Sequence, residues 1–127
     1  MLKDYTGTST AIVGGTHGMG LATARILADG GGRVLVSGRN SANVAAANRV
    51  LSPNGEAMVS DVASRADIET LAKYAEARLG SLDFLFVNVG VSELAPLAEV
   101  TEDVYDRLLE LTGGMGPEET RATGELI

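Results

Sequence analysis

Gly14, Gly18 and Gly20 fall at a G-x-x-x-G-x-G spacing within Val13-Gly14-Gly15-Thr16-His17-Gly18-Met19-Gly20. Glycine at such positions lets the backbone turn tightly and approach a ligand with no Cβ in the way. The apolar run Ala11-Ile12-Val13 precedes this stretch, and Leu21–Ala28 follows it with the pattern of a helix. Strand, glycine turn and helix together offer free N–H groups and a positive dipole end to a phosphate. A cofactor carrying a pyrophosphate suits that chemistry, with Gly14, Thr16, His17, Gly18, Met19 and Gly20 as its contacts. The spacing differs from the G-x-G-x-x-G fingerprint of many dinucleotide sites.

The elements that must position this turn follow from periodicity and punctuation. Thr10–Gly14 reads as a buried strand and Gly18–Asp29 as a helix, stopped by Gly30-Gly31-Gly32. Arg33–Ser37 is a second apolar strand. Asn40 or Ser41 can cap a helix running to about Leu51. Ser52-Pro53-Asn54-Gly55 is a turn, and Glu56–Ser60 a third, short strand. Ser64 caps the next helix, which places Ile68, Leu71, Ala72, Ala75 and Leu79 at helical spacing and ends at Gly80. Leu82–Val89 is a fourth strand. Thr101-Glu102-Asp103 opens a helix reaching Leu111.

This β-α rhythm implies an α/β fold: a Rossmann-like, three-layer, doubly wound parallel sheet, truncated to about four strands in the order 3-2-1-4. Strands that are apolar throughout fit a sheet covered on both faces. The nucleotide crevice is expected where strands 1 and 4 end, at the switch point. Residues 1–111 form one dinucleotide-binding domain, and 112–127 an irregular tail broken by Thr112-Gly113-Gly114-Met115-Gly116-Pro117.

Composition removes several classes of function. The 127 residues carry a net charge of −7, which disfavours nucleic acid or an anionic membrane as main partner. There is no cysteine, so disulfides, thiolate chemistry and cysteine-type zinc sites are excluded. A single histidine makes a nucleophile triad a poor fit. Glu102-Asp103 reads as helix-start charge and Glu118-Glu119 as a solvated pair. No metal-ligand spacing stands out. The first residues lack an apolar signal core and no run reaches membrane-spanning length, so a cytoplasmic protein is the simplest expectation.

The glycine spacing resembles that of the short-chain dehydrogenase/reductase family, usually T-G-x-x-x-G-x-G, with Val13 here in place of the threonine. The resemblance covers about Thr6 to Leu111 and extends to three further places. Ser37-Gly38-Arg39-Asn40 ends strand 2 with no carboxylate for the ribose 2′-OH of NAD. Arg39, beside Asn40, offers a guanidinium suited to a 2′-phosphate, which favours NADP(H) over NAD(H). The alternative for Arg39 is a solvated loop residue. His17 would add charge only if protonated, and a plain polar loop role suits it better. At Asp61-Val62 the resemblance implies a contact to the adenine amino group, although Asp61 could instead begin the turn that leads to Ser64. Val87-Asn88-Val89-Gly90 matches the family's N-N-A-G at Asn88 and Gly90, implying that the backbone at Gly90 passes close to the adenosine.

By resemblance, catalysis requires a serine on a fifth strand and a Y-x-x-x-K on the following helix. Neither is present, so no catalytic residue is assigned. Tyr5, Tyr74 and Tyr105 are followed four residues on by Ser9, Arg78 and Leu109. The family's supporting asparagine has its approximate place at Thr112. The expected function is that of an NADP(H)-binding relative of carbonyl/alcohol oxidoreductases, inactive alone in carbonyl reduction. Two alternatives stay open. One is a non-catalytic nucleotide-binding or interaction subunit that forms a homo-oligomer, or meets a partner chain, through the exposed edge of strand 82–89. The other is a truncated gene product.

Overall fold

The computed structural model of the chain describes residues 4–14, 16, 18–62 and 64–88. Four strands, β1 (Ser9–Val13), β2 (Arg33–Gly38), β3 (Gly55–Val59) and β4 (Phe84–Val87), alternate with three helices, α1 (Gly18–Asp29), α2 (Ser41–Leu51) and α3 (Arg65–Leu79). All strand pairs are parallel and the order is β3-β2-β1-β4. The doubly wound α/β sheet expected from the sequence is therefore the observed one. His17, Gly90, the helix expected from Thr101 and the 112–127 tail lie outside the described residues.

Successive side chains on a strand point to opposite faces. In β1 both faces are covered, and every residue from Ser9 to Val13 is buried. Ala11 and Val13, with Leu35 and Leu85, pack on Ile68, Leu71, Ala72 and Ala75 of α3. Ile12, with Val34 and Val36, packs on Ala24 and Ala28 of α1 and on Ala47 and Leu51 of α2. The small alanines let these helices lie close to the strands.

Helix ends follow local chemistry. Asn40 caps α2 by accepting from the Asn43 N–H at 3.0 Å. Ser64 caps α3 by accepting from the Asp67 N–H at 3.2 Å. Asp67 reaches back and accepts from the Asp61 N–H at 2.8 Å, securing the turn before the helix. Gly80, at φ 74° and ψ −112°, ends α3 with a positive φ that suits glycine, and its N–H donates to the Glu76 C=O.

Strand limits shift for tertiary reasons. β4 starts at Phe84 rather than Leu82, because Asp83 is occupied by Ser9. The Asp83 N–H donates to the Ser9 C=O at 2.8 Å, and its carboxylate accepts from the Ser9 N–H at 2.8 Å. β1 stops at Val13 because Gly14 turns out of the sheet at φ 84°.

Candidate cofactor-binding site

The C-terminal ends of β1, β2 and β4 meet at Gly14. Its N–H donates to the Ser37 C=O at 2.9 Å. The Asn88 N–H donates to the Val13 C=O at 2.8 Å, and Asn88 Nδ2 donates to the Gly14 C=O at 3.4 Å. A Cβ on Gly14 would run into the backbone carbonyl of Asn88. Gly14 is thus required twice, by its positive φ and by the strand that closes over it. Asn88, a polar residue at the end of an apolar strand, earns its place by holding the β1 turn.

Beyond Gly14 the chain rises into α1. Thr16 is 5% exposed and lies against Gly38. Gly18 begins α1 at φ 60°, and among the described residues a Cβ there would meet nothing within 4 Å. Left-handed backbone beside open space, at a helix N-terminus, is a cradle that a side chain would fill. The first turn of α1 carries no acidic side chain to neutralise the dipole. Met19 is exposed and Gly20 is buried on the sheet side. These residues fit a dinucleotide pyrophosphate.

Four further expected positions follow the C-terminal ends of β2 and β3. Arg39 is exposed just after β2. Its neighbour Asn40 is engaged through its side-chain oxygen in capping α2. After β3, Asp61 accepts from the Ser64 N–H at 3.0 Å through its carbonyl, forming the turn that the sequence left open as one of its roles. Val62 is 6% exposed and belongs to the α3-side core.

Two residues escaped the sequence reading. Ser37, near the end of β2, and Ser60, just after β3, are 1% and 2% exposed, and neither hydroxyl has a hydrogen-bond partner among the described residues. Buried hydroxyls without partners are costly and flag a place where a ligand or water completes the set. A serine ending the otherwise apolar Val34-Leu35-Val36 run was the available signal.

The groups with shifted titration in this sheet lie away from that end. At the start of β3, Arg78 donates to Glu56 at 2.8 and 3.3 Å and holds its carboxyl below the usual range. The Glu56 carboxylate in turn raises the Tyr74 phenol, over whose ring Arg78 sits at 5.6 Å. Among the described residues there is no cluster of histidine, cysteine or carboxylate side chains able to hold a metal. No described helix is long and apolar enough to cross a membrane.

Comparison with known proteins agrees with this geometry. The chain is 27% identical over 100 residues to galactitol 2-dehydrogenase of Agrobacterium fabrum, covering 79% of this chain and 39% of that protein. It is 31% identical over 105 residues to sorbitol dehydrogenase of Cereibacter sphaeroides, covering 83% and 41%. The chain therefore spans less than half the length of these curated relatives. A solved, NADPH-bound short chain oxidoreductase from Pseudomonas aeruginosa PAO1, described as containing an atypical catalytic center, superposes with a TM-score of 0.74 at 22% identity. That match covers 90% of this chain and 52% of the other. The family model for short chain dehydrogenases matches residues 9–113, a span that contains every strand and helix described above. The chain belongs to the short-chain dehydrogenase family, oxidoreductases that bind a nicotinamide dinucleotide.

Proposed function

We propose that this chain binds NADP(H) in preference to NAD(H), as the cofactor-holding part of an oxidoreductase acting on a carbonyl or alcohol. The observation that carries the reading is Gly18: left-handed, with no described residue within 4 Å of where a side chain would go, at the start of a helix whose first turn bears no acid. The Gly14–Gly20 turn holds the pyrophosphate there. Arg39 meets the 2′-phosphate, Asp61 and Val62 border the adenine, Gly90 borders the adenosine, and Asn88 holds the glycine turn beside the cofactor. Bound NADP(H) supplies or accepts the hydride, and these residues hold and orient it. Titration of the purified chain followed by cofactor fluorescence tests the assignment. NADPH binding at least tenfold tighter than NADH, about 1.4 kcal/mol, is expected. A tenfold preference for NADH overturns it.

The 127 residues contain no tyrosine followed four positions later by lysine. Nothing in them is thus assigned to protonate an alkoxide, and the chain binds cofactor without reducing a simple ketone. Steady NADPH oxidation above background by the purified chain would refute this.

A second reading, an interaction subunit, is favoured by Phe84. It is 57% exposed on β4, the strand at one end of the described sheet. Exposed apolar edges invite strand pairing. Pairing through the 82–89 edge, with a second copy or a partner chain, predicts self-association of the pure chain. A monomer at micromolar concentration by sedimentation removes the homo-oligomer.

A further inference from the structure

Gly38 closes β2, pairs with Val59 and is buried. Its φ lies outside the left-handed region, so the backbone conformation does not demand glycine. A neighbour does. A Cβ built on Gly38 meets Oγ1 and Cγ2 of Thr16 well inside van der Waals contact, and the Thr16 Cβ at 3.0 Å. Thr16 has little room to retreat. It is 5% exposed, and it sits between two fixed points. On one side Gly14 is tied to the Ser37 C=O and held by Asn88. On the other, α1 starts at Gly18. Moving the threonine side chain means moving the turn itself.

The position matters for cofactor choice. In sheets of this type an acidic side chain about twenty residues beyond the glycine turn binds the ribose 2′-OH of NAD. Gly38 stands twenty residues after Gly18, at the end of β2 and next to Arg39.

We propose that Thr16 is a specificity-determining residue: its side chain fills the space that a side chain at position 38 would need. It keeps a carboxylate off the end of β2 and leaves the adjacent Arg39 to meet a 2′-phosphate. This rests on the NADP(H) reading above. It adds a coupling: position 38 can gain a side chain only when position 16 loses one.

The experiment is a thermal-unfolding cycle on Gly38→Ala, Thr16→Gly and the double variant, joined to titrations with NADH and NADPH. Gly38→Ala alone lowers the melting temperature, and most of that loss disappears when Thr16→Gly is also present. Gly38→Asp combined with Thr16→Gly binds NADH at least tenfold tighter than the unsubstituted chain does, whereas Gly38→Asp alone does not. If Thr16→Gly fails to fold, Thr16→Ala replaces it in every arm; it removes both γ atoms and keeps the Cβ at 3.0 Å, so a smaller recovery is expected. The proposal is overturned if Gly38→Ala melts with the unsubstituted chain, or if Gly38→Asp alone gains NADH as well as the double variant does. An unsubstituted chain that prefers NADH defeats the NADP(H) reading separately, because the unfolding cycle contains no cofactor.

Discussion

The side-chain amide of Asn48 pairs with both backbone groups of Ala57. Nδ2 donates to the Ala57 C=O at 2.9 Å, and the Ala57 N–H donates to Oδ1 at 2.8 Å. Asn54 and Ser60 bond to β2, accepting from Val34 and donating to Gly38. By the two-residue alternation of a strand, Ala57 therefore faces away from β2. β3 lies at an end of the described sheet, so the amide of α2 takes the place of a neighbouring strand along it.

Asn48→Ala should remove both bonds and cost about 2 kcal/mol, at roughly 1 kcal/mol each. Urea unfolding measures the loss. The uncovered edge should also raise self-association, seen by sedimentation. Asn48→Asp keeps the acceptor but sets a carboxylate against the Ala57 C=O, and should be no more stable than Asn48→Ala.

The two left-handed glycines of the turn should respond differently. At Gly14 an added methyl collides with the Asn88 carbonyl, so Gly14→Ala should destabilise by more than about 3 kcal/mol or prevent folding. At Gly18 the methyl meets open space, so Gly18→Ala costs only the left-handed backbone, about 1 kcal/mol. A folded Gly18→Ala chain should nevertheless lose nucleotide affinity, because the methyl enters the cradle. Unchanged NADPH affinity in that variant would remove the pyrophosphate assignment.

Arg39→Asp should weaken NADPH much more than NADH. Both cofactors share every group except the 2′-phosphate, so equal losses in paired titrations would show that Arg39 does not read it.

The Glu56–Arg78 pair gives a pH signature. Hydrogen bonding to Arg78 lowers the Glu56 pKa in the folded chain below its ordinary 4.5. A depressed carboxyl stabilises above its unfolded pKa, and the contribution vanishes as pH falls through the folded value. Glu56→Gln should therefore cost stability at neutral pH and progressively less in the acid range below 4.5. The pair is largely solvated, with side chains 55% and 29% exposed, so the difference should be small and shrink in high salt. A Glu56→Gln deficit that persists unchanged at low pH would show that the carboxylate is not its source.

Much of this protein is legible in its order of residues, because the signals are local. The three glycines after Asp29, the caps at Asn40 and Ser64 and the glycine after Leu79 mark helix ends through hydrogen bonds spanning a few residues. The helices follow those marks. The handedness of each β-α-β crossover depends on backbone sterics rather than on particular side chains, and the order β3-β2-β1-β4 is the one a doubly wound sheet adopts. Only the tertiary structure shows why certain residues are what they are. Gly14 answers to Asn88, and Gly38 answers to Thr16. β4 begins late because Asp83 is held by Ser9, and Ser37 and Ser60 are buried when helices and strands close over them. Each of these is a contact or burial created when segments distant in the chain are brought within a few ångströms. No periodicity in a single sequence encodes which distant atoms will compete for the same space.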